Sequence, residues 1–338
     1  MNKLVIIGNG FDLAHGLKTS YKDFILDYLN KVITGKNKST LILTDTIFAD
    51  ERKIPTFKSY REFNRFIVDF NIKVTYSNRF IEKIVSLVDV NWVDIETMYF
   101  DELKDIFVCY KENSQQTIIE VRNLNECMDL IKNELKEYLI GLNISNDVFS
   151  QEIRDVLKYD LDCFNINTVL FLNFNYTDTL WNYCRYADEY LNVNFIHGKL
   201  KQDYPIIFGY GDEIDSYYKE MEDSNIKEFT EHFKPFNYTL TDSYQNLFKF
   251  LDNDLFDVFI MGHSCGISDR VLFSTIFKHK NFNQVKIYFY QYGAKNSDND
   301  FFLKTQELSR HFDINSKHIM RTKVVPFNES KPLTTYKP

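Results

Sequence analysis

Two polar side chains follow two short strand-like segments in the middle of the chain. Thr168 leads into the apolar run Val169–Leu172, Asn175 follows it closely, and the segment Val193–Ile196 ends directly at His197. The length of the run Val169–Leu172 predicts a buried parallel strand rather than a helix, and we predict a second strand at Val193–Ile196. Because open α/β sheets bind ligands at the carboxyl ends of their strands, we expect Asn175 and His197 to share one cleft. An imidazole titrates at about pH 6.5 and can act as a base, while an amide both donates and accepts hydrogen bonds.

A glycine turn follows the first apolar run, Leu4–Ile7. Strand, glycine turn and helix is an arrangement that cradles a nucleotide phosphate, because glycine lets the ligand approach and the helix start offers free N–H groups. The pattern departs from the dinucleotide fingerprint and lacks the G-K-[ST] of a P-loop. A plain strand-to-helix turn is the alternative. The candidate binding residues here are Gly8, Asn9, Gly10, Phe11, Asp12, His15 and Gly16.

A second glycine turn, Gly262-His263-Ser264-Cys265-Gly266, follows the apolar run Asp257–Met261. In one interpretation Gly262, His263, Ser264 and the nearby Asp269 contact a nucleotide. In the other, G-x-S-x-G is a nucleophile elbow with Ser264 as the nucleophile. Its partners would be Asp298 or Asp300 and His311 or His318. An elbow so late in the chain, without a preceding oxyanion segment, makes the hydrolase the weaker interpretation.

The remaining histidines and the cysteines do not predict a metal site. We expect His232, His279, His311 and His318 to be surface or helix-end residues. The five cysteines include no C-x-x-C pair. The sequence therefore predicts no metal and a reducing compartment.

The composition of the 338 residues predicts a globular protein, with 44% hydrophobic and 16% aromatic residues. A formal net charge of −8 argues against nucleic-acid binding, which depends on cationic surface. We find no signal-peptide pattern and no segment that could span a bilayer, and expect a cytoplasmic protein.

Strand and helix patterns alternate along most of the chain. Helices are predicted at Tyr21–Val32, Tyr60–Val88, Thr117–Leu142, from Asp178 to Leu191, and at Arg270–Lys278 and Phe301–Phe312, with further strands at Pro205–Phe208, Val285–Tyr290 and Ile319–Val325. This order predicts a Rossmann-like, doubly wound, mostly parallel α/β sheet. Residues 1–33 and 160–338 would form the α/β domain, and residues 34–159 a mostly helical insertion. For the acids Asp94 and Glu96 in that insertion we favour capping or solvent-facing roles over lining a pocket.

The ordered motifs resemble the AbiH family of bacteriophage abortive-infection proteins. The match comprises LVIIGNGFDLAHGL, NWVDIE, FLNFNYTDTL, NFIHG, FGYGD and GHSCGISD. Their order is also similar to the sirtuin fold, which has a glycine loop, an Asn at a strand end, an HG step and a late glycine-serine turn. This similarity implies NAD binding, with Asn175 and His197 at the matching catalytic positions.

Two departures refine what the resemblance implies. Protein-deacylating sirtuins need paired C-x-x-C motifs, which this chain lacks, so an effector that hydrolyses NAD is favoured over a deacylase. Sirtuin-like defence proteins commonly follow Asn-Tyr with Asp, whereas Asp178 comes one position later here, which leaves its contact with the nucleotide open. The expected partners are a small-molecule nucleotide and a phage-derived trigger, with a homo-oligomer left open. A module that senses NAD or ADP-ribose without turnover is the main alternative.

Overall fold

A computed structural model describes residues 1–48, 56–88, 94–110, 114–142, 144, 149–184, 190–200 and 204–335. Its strands, in chain order, are β1 (Asn2–Ile7), β2 (Ile42–Thr44), β3 (Val74–Tyr76), β4 (Val169–Asn173), β5 (Val193–Phe195), β6 (Phe256–Met261), β7 (Phe282–Phe289) and β8 (Lys331–Pro332). Strands β2 and β3 form a small antiparallel pair. The other six form the central sheet.

The central sheet is parallel throughout and runs in the order β5-β4-β1-β6-β7-β8. Counted along the chain, its six strands lie in the order 3-2-1-4-5-6, which is the Rossmann order. The direction of winding reverses beside β1, which pairs with β4 on one side and β6 on the other. The structure therefore confirms the Rossmann-like α/β fold, and the carboxyl ends of β1, β4, β5 and β6 surround the position where such sheets bind ligands.

Helices cover both faces of this sheet, and those that lie between β1 and β4 in the chain form what we call the helical region. They are α1 (Asn9–Ala14), α2 (Tyr21–Thr34), α3 (Tyr60–Asp69), α4 (Arg79–Ser86), α5 (Ile95–Tyr110), α6 (Ser114–Gly141), α7 (Gln151–Asp155), α8 (Ser216–Asp223), α9 (Lys227–Thr230), α10 (Lys234–Asn237), α11 (Ser243–Asn253), α12 (Arg270–Lys278), α13 (Phe301–Ser309) and α14 (Lys317–Lys323). Among the described helices, none is both long and apolar enough to cross a membrane.

Three hydrophobic clusters hold the elements together. Leu4 and Ile6 of β1 face one cluster, and Val5 and Ile7 face another, so both faces of the sheet are buried. The third cluster contains residues of the elements from α2 through α6. Aromatic residues between Phe208 and Phe233 pack in the same cluster. The division into two domains stays a prediction, since this cluster links the segment 34–159 to a later part of the chain.

Four expected elements differ from the structure. Ile319–Val325 is not a strand, since helix α14 covers most of it and Met320 is buried. The segment has too few apolar residues to distinguish the helical period of 3.6 from the strand period of 2. The helix expected over Tyr60–Val88 is broken by β3, because Asn71 adopts a left-handed backbone (φ 52) and two β-branched residues, Val74 and Thr75, follow.

The third difference lies between β4 and β5. A short 3₁₀ helix at Thr179–Tyr183 replaces the start of the expected α-helix, and Asp178 makes no capping hydrogen bond. The rest of that expected helix includes residues 185–189, which lie outside the described residues. The expected strand Pro205–Phe208 is also irregular; only Tyr210, beyond it, makes an isolated bridge, to Phe233.

The two glycine turns pack directly on each other. The Gly10 N–H donates to the Gly262 carbonyl over 2.8 Å. A Cβ on Gly10 would lie 2.7 Å from that oxygen, and a Cβ on Gly262 would lie 2.1 Å from the Phe11 nitrogen. These glycines are therefore required for the close approach of the loops that follow β1 and β6.

We expect Gly262→Ala to lower the free energy of unfolding by roughly 2–5 kcal/mol, because it adds a clash to a left-handed backbone. Gly16→Ala is the matched control, since its φ of 75° nearly equals the 76° of Gly262 and nothing lies within 4 Å of its added Cβ. The control should lose only about 1–2 kcal/mol. Equal losses in urea unfolding of the two variants would contradict the proposed loop contact.

Candidate functional site

A cavity of about 290 Å³ lies at the carboxyl ends of β1, β4, β5 and β6. Asn175 and His197 both line it, as the sequence predicts for two residues at one sheet edge. Residues of α5 and α6 close its other side, so the helical region forms part of the wall. Other candidate residues that line it are Asn9, Gly10, Asp12, Gly262, His263, Ser264 and Asp269.

Five other candidates are not among the residues that line this cavity: Gly8, Phe11, His15, Gly16 and Asp178. Phe11 lies in the core, and the His15 ring is held by the Phe11 carbonyl over 2.6 Å. Asp178 is exposed. Gly8 acts indirectly, because its carbonyl accepts the Asn175 Nδ2–H over 3.1 Å and so holds the amide.

The first glycine turn offers fewer free N–H groups than its pattern suggests. The N–H of Gly8 donates to the Met261 carbonyl, that of Gly10 to Gly262, and that of Phe11 to the Gly8 carbonyl. The Asn9 side chain accepts the Thr19 hydroxyl over 2.6 Å. These contacts fix the loop, and three of its backbone donors are already used.

His197 is buried against Phe174 and Tyr238, with 6% of its surface exposed. Its Nε2 lies 3.2 Å from Asp269 Oδ1 and 3.4 Å from the Tyr238 hydroxyl. Burial, followed by the positive charge of Lys234, lowers the pKa of His197, so the ring is neutral at pH 7. A lone pair on Nε2 would face the Asp269 carboxylate, so the proton belongs on Nε2 and the basic lone pair on Nδ1.

Lys234, which has no exposed surface, holds Asp269 in place. Its Nζ lies 2.7 Å from Asp269 Oδ1 and 2.7 Å from Glu96 Oε2. Burial alone would raise the pKa of Asp269, but Lys234 and His197 outweigh it and hold that pKa well below its usual range. For Lys234 itself, burial acts to lower the pKa, and the two carboxylates reverse the effect and raise it. The structure thus places an ionised Asp269 beside a neutral His197.

Glu96 is the second carboxylate bonded to Lys234. Its Oε1 accepts the Gly209 N–H over 3.1 Å, and burial raises its pKa to about 7 against the opposing effect of Lys234. Asp94, two residues earlier, caps α5 by accepting from the Thr97 N–H and hydroxyl. The capping role expected for Asp94 is confirmed, although Asp94 also lines the cavity. The solvent-facing or capping role expected for Glu96 is wrong, since Glu96 is buried and lines the cavity.

Asp12 is a second buried acid on the cavity wall, with 1% of its surface exposed. The Thr177 hydroxyl donates to its Oδ2 over 2.6 Å, and its Oδ1 has no hydrogen-bond partner among the described residues. Burial raises its pKa from 3.8 to about 6, against the opposing hydrogen bonds of Thr177, Thr179 and Asn175.

The residues proposed for a serine-hydrolase triad have other partners. Ser264 is exposed at the cavity, and the His311 Nε2 is bonded to the Cys265 carbonyl over 2.8 Å. Asp300 accepts the Tyr290 N–H, and Asp298 accepts the Lys295 N–H. Among the described residues, no hydrogen bond links these groups into a triad.

Two of the histidines expected at the surface or at a helix end are buried in the fold. His311 is 1% exposed and His232 is 4% exposed, and burial lowers the pKa of both, to about 4 for His311. One ring nitrogen of His232 lies within 4.8 Å of carboxylate oxygens of Asp129 and Glu231, so these three residues could hold a metal ion. Their spacing in the sequence did not predict such a site. Lys132 pairs with Asp129 over 2.6 Å in that group.

The sequence missed the residues that hold the catalytic candidates. Lys234 and Glu96 are separated by 138 positions, and Lys234 and Asp269 by 35, so no local pattern connects them. A lysine that precedes a proline in a polar segment resembles a surface residue. The burial of its ammonium group is visible only in the folded chain.

The family model described as bacteriophage abortive infection AbiH matches residues 4–291. No curated protein matches the chain.

We expect Lys234→Met to lower the free energy of unfolding by roughly 3–5 kcal/mol, because it leaves two buried carboxylates without their cation. Lys278→Met is the matched control, since Lys278 pairs with Asp313 over 3.2 Å with both side chains largely exposed. That variant should lose less than about 1 kcal/mol. A similar small loss in both variants, measured by denaturant unfolding, would contradict the burial of this cluster.

Asp12 should make stability depend on pH. Since its folded-state pKa is raised from 3.8 to about 6, protonation favours the folded state, and this contribution is lost as pH rises through about 6. On acidification from about pH 7 to about pH 4, the wild type should therefore gain on the order of 2–3 kcal/mol relative to Asp12→Asn. Unfolding curves at several pH values measure this difference, and one that stays constant or changes in the opposite direction refutes the assignment.

Proposed function

This chain belongs to AbiH, a family of bacteriophage abortive infection proteins, and on that premise we propose that it acts in the cytoplasm by hydrolysing NAD at the nicotinamide–ribose bond. The observation that carries the proposal is the meeting of Asn175 and His197 at one cavity, with His197 beside the ionised Asp269. A base oriented by an acid is an arrangement that recurs in catalytic sites.

The reaction needs little acid catalysis. The nicotinamide nitrogen is cationic in NAD, and the electron pair of the breaking C–N bond neutralises it as it leaves. The ribose carbon passes through an oxocarbenium-like state, as in glycoside cleavage. Water forms the new C–O bond and gives its proton to Nδ1 of His197, so the products are nicotinamide and ADP-ribose. The Asn175 amide positions that water without introducing a charge.

The charges on the cavity wall favour a cationic group in the cavity. The acids Asp12, Asp94, Glu96 and Asp269 line it, and Lys304 is the one lysine or arginine among the described lining residues. Lys234, bonded to Glu96 and Asp269, compensates part of their charge, and the four acids still outnumber the two lysines. Negative side chains stabilise the pyridinium and the developing oxocarbenium, and they disfavour phosphate. We therefore place the nicotinamide riboside half of NAD in the cavity and the phosphates towards Lys304.

The test is to incubate the purified protein with NAD and to follow nicotinamide release by chromatography. We expect His197→Ala and Asn175→Ala each to lower kcat by roughly 100-fold or more, because each removes a group that acts in the transition state. The matched control is His318→Ala, which removes an exposed histidine of α14 and should leave the rate unchanged.

The outcomes separate the rival functions. Saturable binding of NAD or ADP-ribose to the wild type without nicotinamide release would support a sensing module instead. Activity that survives His197→Ala but is lost in Ser264→Ala would support the serine hydrolase. Nicotinamide release that is unaffected by both His197→Ala and Asn175→Ala would refute the assignment of this site.

A further inference from the structure

Asp12 differs from the other acids of the cavity. Asp94 caps α5, and Glu96 and Asp269 share Lys234. Asp12 is more deeply buried than any of these, and no cation among the described residues pairs with it. Its Oδ1 is without a hydrogen-bond partner there, although the side chain lines the cavity.

A buried carboxylate oxygen without a partner is costly. Burying such a group unsatisfied costs about 1–3 kcal/mol, and more when it is charged. Native proteins satisfy nearly all buried polar atoms, so an exception calls for an explanation. Eight buried side-chain atoms among the described residues have no partner, and Asp12 Oδ1 is the one whose residue lines the cavity. A donor on the ligand would supply the missing hydrogen bond.

The surroundings of Asp12 indicate which part of a ligand would supply it. The carboxylate is held by Thr177, which follows Asn175 by two residues, so Asp12 and the Asn175 amide lie on the same part of the wall. The Asn175 and Thr179 side chains also act on Asp12, since they lower its pKa against the effect of burial. In the proposed reaction Asn175 positions the water that attacks the ribose carbon, and the hydroxyls of that ribose are the donors closest to the bond that breaks.

Building on the proposed function, we infer that Asp12 is a catalytic residue that binds the nicotinamide-side ribose by accepting a hydrogen bond from one of its hydroxyls at Oδ1. The ionised carboxylate then faces the positive charge that develops on the ribose in the transition state. A hydrogen bond to a ribose hydroxyl strengthens as that charge develops, so Asp12 contributes more to kcat than to binding. No bond to Asp12 forms or breaks.

The experiment uses Asp12→Asn, which keeps the size of the side chain and removes its charge. Because the Thr177 hydroxyl donates to Oδ2, the amide oxygen of the variant takes that position and an N–H group replaces the acceptor Oδ1. The variant is combined with NAD analogues that lack the 2′- or the 3′-hydroxyl of that ribose. We expect Asp12→Asn to lower kcat by roughly 100-fold with little change in KM. With the analogue that lacks the hydroxyl bound by Asp12, the variant should lose little further activity, because one interaction cannot be removed twice.

Asp257→Asn is the matched control. Asp257 is also a buried aspartate, held by the Asn283 and Gln284 amides at the start of β6, and it is not among the residues that line the cavity. This variant should keep wild-type kcat and wild-type sensitivity to both analogues. Circular dichroism of each variant confirms that the fold is retained.

Each result decides between the two proposals. A wild type that releases no nicotinamide overturns the proposed function and this inference together. A wild type that releases nicotinamide, with losses from Asp12→Asn that are fully additive with both missing hydroxyls or equal to those of Asp257→Asn, overturns the role of Asp12 alone.

Discussion

A lysine with no exposed surface, clamped between two buried carboxylates, is the interaction on which the site depends. Removing charged groups from water costs several kcal/mol for each ion, and the cost is recovered only when the partners are close and well placed. Lys234 meets that condition, because Glu96 and Asp269 each lie 2.7 Å from its Nζ. The cluster ties α5 of the helical region, α10 and the loop after β6 into one wall.

The chemistry of His197 follows from that cluster. Lys234 keeps Asp269 ionised, and the carboxylate in turn selects the ring nitrogen of His197 that carries the proton. The packing of the two glycine turns brings the ends of β1 and β6 together, and the Gly8 carbonyl holds the Asn175 amide. Four strand ends and a helical wall thus present a neutral base, an amide and several acids to one cavity.

Local patterns in the sequence predict the parts of this arrangement that depend on neighbouring residues. The strands β1, β4, β5 and β6 could be predicted from short strand-like runs that end at glycine, amide or histidine residues. Because the carboxyl ends of parallel strands meet at one edge of the sheet, the positions of Asn175 and His197 at the cavity could be predicted as well. The Lys234 cluster could not be predicted, since its members meet only after the helical region folds over the sheet edge. The strand predicted at Ile319–Val325 was wrong for a different reason, because this segment is too short for its pattern to distinguish a helix from a strand.

We propose that His197, which lines the cavity, is neutral and protonated on Nε2, so that Nδ1 is its basic nitrogen. The most direct measurement is ¹⁵N NMR of the labelled imidazole in the resting protein at about pH 7, assigned with the His197→Ala spectrum. We predict that the Nε2 of His197 is protonated and that its Nδ1 is not. A ring protonated on both nitrogens, or on Nδ1 alone, would contradict it.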